Sequence, residues 1–132
     1  MDQPHRSHDS IRRGDIFWVL PLESRGSIPA RAHPHVVVQD DVFNLSRLST
    51  VVVCGLSTNA KIFNEPGNVL LQVGEANLSK QSVIVVSQIS SVLKSQLGEY
   101  IGSLSAYRVD QALAGLRLQQ NSFLRRATES DA

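Results

Sequence analysis

Three valines in succession occur twice in this chain, at residues 36–38 and again at 51–53. β-Branched side chains lose rotamer freedom in a helix and pack well on a pleated surface, so both runs suit buried strands better than helix. Residues 39–49 between them are polar and turn-prone. The first run follows His33-Pro34-His35, and the second leads into Leu56-Ser57-Thr58-Asn59, a cluster of hydroxyls and an amide. If the two runs pair as neighbouring strands, His33 and Ser57 approach each other across one edge of a sheet. That proximity is the first pointer to a functional site.

The remaining apolar patterning extends the same architecture. Ile16-Phe17-Trp18-Val19-Leu20 reads as a first strand, ended by Pro21, which cannot donate to a sheet ladder. Residues 23–34, with Gly26, two prolines and two arginines, suit a long surface loop. Further strands are expected at 69–73 and 82–92, the second containing Val83-Ile84-Val85-Val86 and buried on both faces. About five short strands with polar connections predict a mainly β fold with some α, a small, strongly bent sheet or partly open barrel. Over residues 104–118 the period changes: Ala106, Val109, Leu113 and Leu116 recur at three and four, and Ser105 can cap the start of an amphipathic helix. Gly115 inside that helix costs about 1 kcal/mol relative to Ala, so either a close neighbour needs the space or the helix is weak there.

Composition bounds the function. With 132 residues and an ordinary apolar share of 42%, the chain suits one domain, expected at residues 12–120 between polar tails at 1–11 and 121–132. Thirteen basic against twelve acidic side chains give a net charge of +1, so any nucleic-acid-binding surface must be local. The single Cys54 sits in an apolar run, which predicts a buried, inert thiol and suits a reducing cytosol. No stretch reaches the roughly 18 apolar residues of a membrane span, and residues 1–10 lack the apolar core of a signal peptide, so a cytoplasmic protein without membrane contact is expected. His5 and His8 have no Cys or His partner at metal-ligand spacing, and no metal or cofactor is expected. A phosphate-binding glycine loop, a Gly-x-Ser-x-Gly elbow and a dinucleotide fingerprint are all missing, which sets aside those enzyme classes.

Several short motifs occur in an order that resembles one family. They are Arg13-Gly14-Asp15-Ile16 before an aromatic, Gly26-Ser27, Pro34 leading into Val36-Val37-Val38-Gln39, and Asn44 ahead of Thr50-Val51-Val52-Val53. Pro66-Gly67-Asn68-Val69-Leu70-Leu71, Leu78-Ser79-Lys80-Gln81-Ser82-Val83, Ser87-Gln88-Ile89 and Gly102-Ser103-Leu104-Ser105 continue the series. Together they are similar to the MazF/PemK family of toxin endoribonucleases over residues 12–118. The resemblance implies a small SH3-like (CcdB/PemK-type) barrel with a C-terminal helix. It also implies a homodimer formed through sheet and helix, metal-independent cutting of single-stranded RNA, and a cognate antitoxin that covers the RNA groove.

The resemblance places the catalytic pair at His33 and Ser57 and departs from the family there. The family typically has Arg directly before the proline that opens the second strand, where this chain has His33, and Thr in the position of Ser57. Ile28 stands where the family has Glu after Gly-Ser, and Ser90 where a basic residue often follows Gln-Ile. Arg cations clamp phosphate bidentately, whereas an imidazole titrates near neutrality and can move a proton, so Arg25 or Arg31 would have to supply the lost phosphate contact. Thr58, Asn59 and Lys61 are further candidates for RNA binding. Plain structural readings stand beside these: His33 as a surface loop residue, Ser57 and Thr58 as turn caps. The functional alternatives are a family member that binds RNA or antitoxin without cutting, and a gyrase-directed toxin like CcdB, which shares the fold.

Overall fold

The computed structural model describes residues 10–21 and 31–130, with side chains as far as residue 121. Six strands form one antiparallel sheet: β1 (Asp15–Val19), β2 (His33–Val37), β3 (Thr50–Ser57), β4 (Val69–Leu71), β5 (Ser82–Leu93) and β6 (Leu97–Ser103). Their order across the sheet is β4-β5-β3-β2-β1-β6, so the two valine runs lie in adjacent central strands. A short helix α1 (Asp41–Asn44) fills part of the β2–β3 connection, and a long helix α2 (Ala106–Ser130) follows β6.

Why valine recurs without alternation is plain from the burial. Val36 and Val38 pack into one core with Ile16, Leu56, Ile84, Ala112 and Leu116, while Val37 joins Phe17, Val51, Val53 and Leu97 in a second core on the opposite face. A strand buried on both faces needs apolar side chains at every position. Residues 83–86 of β5 follow the same rule, and all four are buried. β5 pairs with β3 along its length, but the register shifts between Cys54 and Leu56, which lets this 12-residue strand bend as the sheet curls.

The sheet thus has six strands where the apolar pattern predicts about five. β6 reads Leu97-Gly98-Glu99-Tyr100-Ile101-Gly102-Ser103, and its two glycines and one Glu blur the strand signal. Gly102 is required by packing: a Cβ there would lie 2.2 Å from the carbonyl oxygen of Ala76. Ile11, directly ahead of residue 12, is wholly buried in the second core.

Helix α2 opens as expected, with Ser105 Oγ accepting from the Arg108 N–H at 3.3 Å. It buries Ala112 and Leu116 against the sheet, and it runs to Ser130, beyond Leu118 where the apolar periodicity ends. Gly115 resolves in favour of the close neighbour: a Cβ at this position would stand 2.1 Å from the carbonyl oxygen of Gly67. Around α1, buried Asn44 donates to the Gln39 carbonyl at 2.8 Å and to Asp41 Oδ1 at 3.0 Å, while Gln39 Nε2 donates to Asn44 Oδ1 at 3.0 Å. Lys94 closes the same connection by donating to the carbonyls of Asn44 and Ser46, both at 3.1 Å.

Candidate active site

β2 and β3 run antiparallel with His35 opposite Gly55, Val36 opposite Cys54 and Val37 opposite Val53. Counted on by two residues, that register sets His33 against Ser57. β1 flanks β2 on its other side, with Trp18 opposite Pro34 and Val19 opposite His33. The ends of three strands therefore meet at one corner of the sheet, where they border a cleft of about 510 Å³. Leu56, Leu78, Ile101 and Trp18 give it apolar surface; His33, Pro34, Ser57 and Thr58 enter from the strand ends; Asn77, Ser79, Lys80 and Ser82 enter from the segment leading into β5. Apolar walls with a few convergent polar groups are the usual make-up of a ligand cleft.

Ser57 has the structural duty of a turn. The Asn59 N–H donates to its Oγ at 3.1 Å. That bond occupies an oxygen lone pair and leaves the hydroxyl proton to donate into the cleft, so the turn and a chemical role are compatible. The next residues complete the turn: Asn59 Oδ1 accepts from the Lys61 N–H at 3.1 Å and caps the short 3-10 helix Ala60–Ile62.

His33 is exposed at the first position of β2. Its carbonyl lies 2.9 Å from Nδ1 of His35. A carbonyl can only accept, so the His35 ring carries its proton on Nδ1. Burial, the largest influence, holds the His35 pKa below the ordinary imidazole range; the bond to the His33 carbonyl opposes this and the charge of His33 adds to it. His35 is therefore neutral at pH 7 and braces the backbone beneath His33. Cys54, on β3, is wholly buried, and burial pushes its thiol up to about 11. It is inert at neutral pH.

Of the candidates read from sequence, the structure gathers His33, Ser57 and Thr58 on the cleft. Arg31 is exposed just ahead of β2 and, like Asn59 and Lys61, is not among the residues lining it. Arg25 and Ile28 lie outside the described residues. Arg13 is tied into the fold instead, its Nε donating to the Val38 carbonyl at 2.9 Å and its backbone N–H to Asp41 Oδ1 at 2.7 Å. Sequence reasoning missed Trp18 and Lys80 as cleft residues. Trp18 carried a signal, since strand alternation sets it opposite in facing to buried Phe17. Lys80 lies within the motif Leu78-Ser79-Lys80-Gln81-Ser82-Val83, but only the tertiary pairing of β4, β5 and β3 brings it to this corner.

Comparison with known proteins agrees with this architecture. A family model described as PemK-like, MazF-like toxin of type II toxin–antitoxin system matches residues 12–119. The chain is 34% identical over 107 residues to endoribonuclease MazF6 of Mycobacterium tuberculosis, covering 81% of this chain and 94% of that protein. It is 31% identical over 116 residues to endoribonuclease MazF of Staphylococcus epidermidis, covering 86% and 95%. Among solved structures, an endoribonuclease in complex with its cognate antitoxin from a mycobacterial species superposes with a TM-score of 0.67 at 18% identity, over 85% of this chain and 96% of that one. A MazE–MazF structure from Deinococcus radiodurans gives 0.69 at 17% identity, over 84% and 96%. From the family match along nearly its whole described length, this chain belongs to the PemK-like, MazF-like toxins of type II toxin–antitoxin systems.

Proposed function

We propose that this family member is an endoribonuclease toxin that cuts single-stranded RNA without metal, with His33 and Ser57 acting on one phosphodiester. The observation that carries the reading is that both residues border the same cleft at the meeting of β2 and β3. Attack of a ribose 2′-hydroxyl on the adjacent phosphorus needs a group to take the hydroxyl proton and donors for the charge gathering on the phosphate oxygens. An imidazole is the side chain suited by its ordinary titration to accept a proton near neutrality. In this reading His33 removes the 2′ proton as the O2′–P bond forms. The P–O5′ bond breaks and the 5′ oxygen leaves with a proton returned by the His33 imidazolium or supplied by water, while Ser57 donates a hydrogen bond to a non-bridging oxygen. Thr58 extends the binding surface, with Arg31, Asn59 and Lys61 contributing at its margins, and Arg25 is the remaining candidate for RNA binding.

The activity resides in residues 12–120, in the cytoplasm, and a cognate antitoxin restrains it by occupying the cleft. The working form is a homodimer. Support comes from an apolar groove of about 460 Å³ away from the cleft, lined by Phe43, Leu48, Val52, Ile89 and Leu116 and drawing on both sheet and helix. Phe43 is 54% exposed, a large apolar side chain that a second copy would cover.

The test is incubation of wild type and His33→Ala with single-stranded RNA in EDTA. Wild type yields fragments ending in 2′,3′-cyclic phosphate, and the variant is slower by at least about 100-fold. A fully active variant removes His33 from the mechanism. The imidazole in the place of the family's Arg favours a second reading, a protein that binds RNA without cutting it; stable binding with no product after prolonged incubation selects that reading.

A further inference from the structure

Several described cations are held within the fold, whereas the exposed Arg31, Lys61 and Lys80 are not, and of these three Lys80 alone is among the described residues lining the cleft. Arg13 binds the Val38 carbonyl and lies 3.9 Å from Asp40. Lys94 is held by two carbonyls of the α1 connection. Arg108 grips Glu75 with two hydrogen bonds, Nε to Oε1 at 2.8 Å and Nη2 to Oε2 at 3.0 Å. Lys80 lines the cleft and is exposed. No Asp or Glu is found among the described residues lining that cleft, and Lys80 is its one fixed cation. An ammonium group on a cleft whose described lining carries no carboxylate, beside a hydroxyl and an imidazole, is arranged to receive an anion.

The segment that carries Lys80 is rigidly built. Ala76 and Asn77 both adopt left-handed backbone, with φ of 49° and 62°, and follow Gly74 at 94°. Side chains other than glycine pay a steric cost for that conformation, and it persists where the surroundings over-determine it, often beside functional sites. Here the surroundings are visible: Asn77 Nδ2 donates to the Ile101 carbonyl at 3.0 Å, and the Ala76 carbonyl packs against Gly102 where no Cβ would fit. The Gly74 N–H donates to the Leu78 carbonyl at 2.8 Å, and buried Ser82 donates to the Lys80 carbonyl at 3.0 Å. The backbone on both sides of Lys80 is thus set in place while its four-carbon stem stays free to reach.

We infer that Lys80 is the principal phosphate-binding cation of this cleft, gripping the backbone of a single-stranded RNA from the segment that leads into β5, next to the strand end that carries Ser57. The inference rests on the nuclease reading above. It reassigns the phosphate charge from Arg25 and Arg31 to the segment leading into β5. An ammonium acts here as a point charge, without the bidentate geometry of a guanidinium.

The experiment measures binding of a fully 2′-O-methylated RNA oligonucleotide, which cannot be cut, across a salt series for wild type, Lys80→Gln, Lys80→Arg and Arg117→Gln, the last removing an exposed charge on α2. Thermal melts check that each variant is folded. Lys80→Gln binds roughly tenfold more weakly, and its plot of log affinity against log salt is shallower by about 0.7, the loss of one phosphate contact on a single strand. Lys80→Arg restores both, and Arg117→Gln changes neither. An unchanged salt slope in Lys80→Gln overturns the assignment while leaving the nuclease reading intact if wild type still cuts unmodified RNA. A wild type that neither binds nor cuts RNA overturns both.

Discussion

Gly115 shows how a single residue can be read twice, once from sequence and once from packing. In an exposed helix, replacing it with Ala would add about 1 kcal/mol of stability through helix propensity. Here the new methyl group would collide with the Gly67 carbonyl oxygen and press on Val86. Backbone cannot yield as a flexible side chain can, so Gly115→Ala is expected to lose about 1–3 kcal/mol, read as a lower urea midpoint; a raised midpoint would contradict the packing. Cys54 makes a second residue-level prediction. Burial penalises the thiolate and pushes its thiol up to about 11 from an ordinary 9.0. The pKa is raised in the folded state, so the stabilisation is present in full below pH 9 and is lost as pH rises toward 11. Unfolding free energies of wild type and Cys54→Ala should therefore converge over that window, by about 2–3 kcal/mol. A constant difference across the window would mean that the thiol is not shielded as described.

Among the elements, the contact between α2 and the 3-10 turn Glu75–Asn77 holds one wall of the cleft. The bonds from Arg108, followed by one from the Gln72 N–H at 2.6 Å, hold the Glu75 carboxyl below the usual carboxylate range. A lowered folded pKa stabilises above the unfolded value and is lost as pH falls through the folded one. The acid limb of stability below about pH 4.5 should accordingly be flatter in Glu75→Gln than in wild type, as measured by chemical unfolding at each pH; identical limbs would show that the pair is solvated and inert. Elements of this kind divide by how local their cause is. The strands around the valine runs and the start of α2 were legible because β-branching, period and the Ser105 cap act within a few residues. β6 was not, since Gly102 answers to Ala76 in a distant turn and Gly98 to Trp18 on the neighbouring strand, and α1 was not, since its hydrogen bonds depend on Gln39 and Lys94 closing around Asn44. The corner shared by His33 and Ser57 followed from pairing two neighbouring strands, whereas the place of Lys80 required three.

At the scale of the whole molecule, the proposed nuclease activity requires a near-neutral chain to concentrate its contacts with RNA in one place. The net charge of +1 offers no general attraction to a polyanion, and the described cations away from the cleft include several engaged in holding the fold. The cleft lies where strands β1, β2 and β3 end together, on a sheet whose two buried faces make the corner rigid. Rigid strand ends hold reacting groups better than loops do, and a shift of about 1 Å in such groups can cost a hundredfold in rate. The claim at the centre is that His33 and Ser57 address the same phosphodiester from that corner. Single-turnover cleavage of one RNA oligonucleotide by wild type, His33→Ala, Ser57→Ala and the double variant measures it directly. Groups that act as a unit are not additive, so each single variant should lose at least about 100-fold, and the double variant should be little slower than the worse single. Wild-type rates in either single variant would contradict the account.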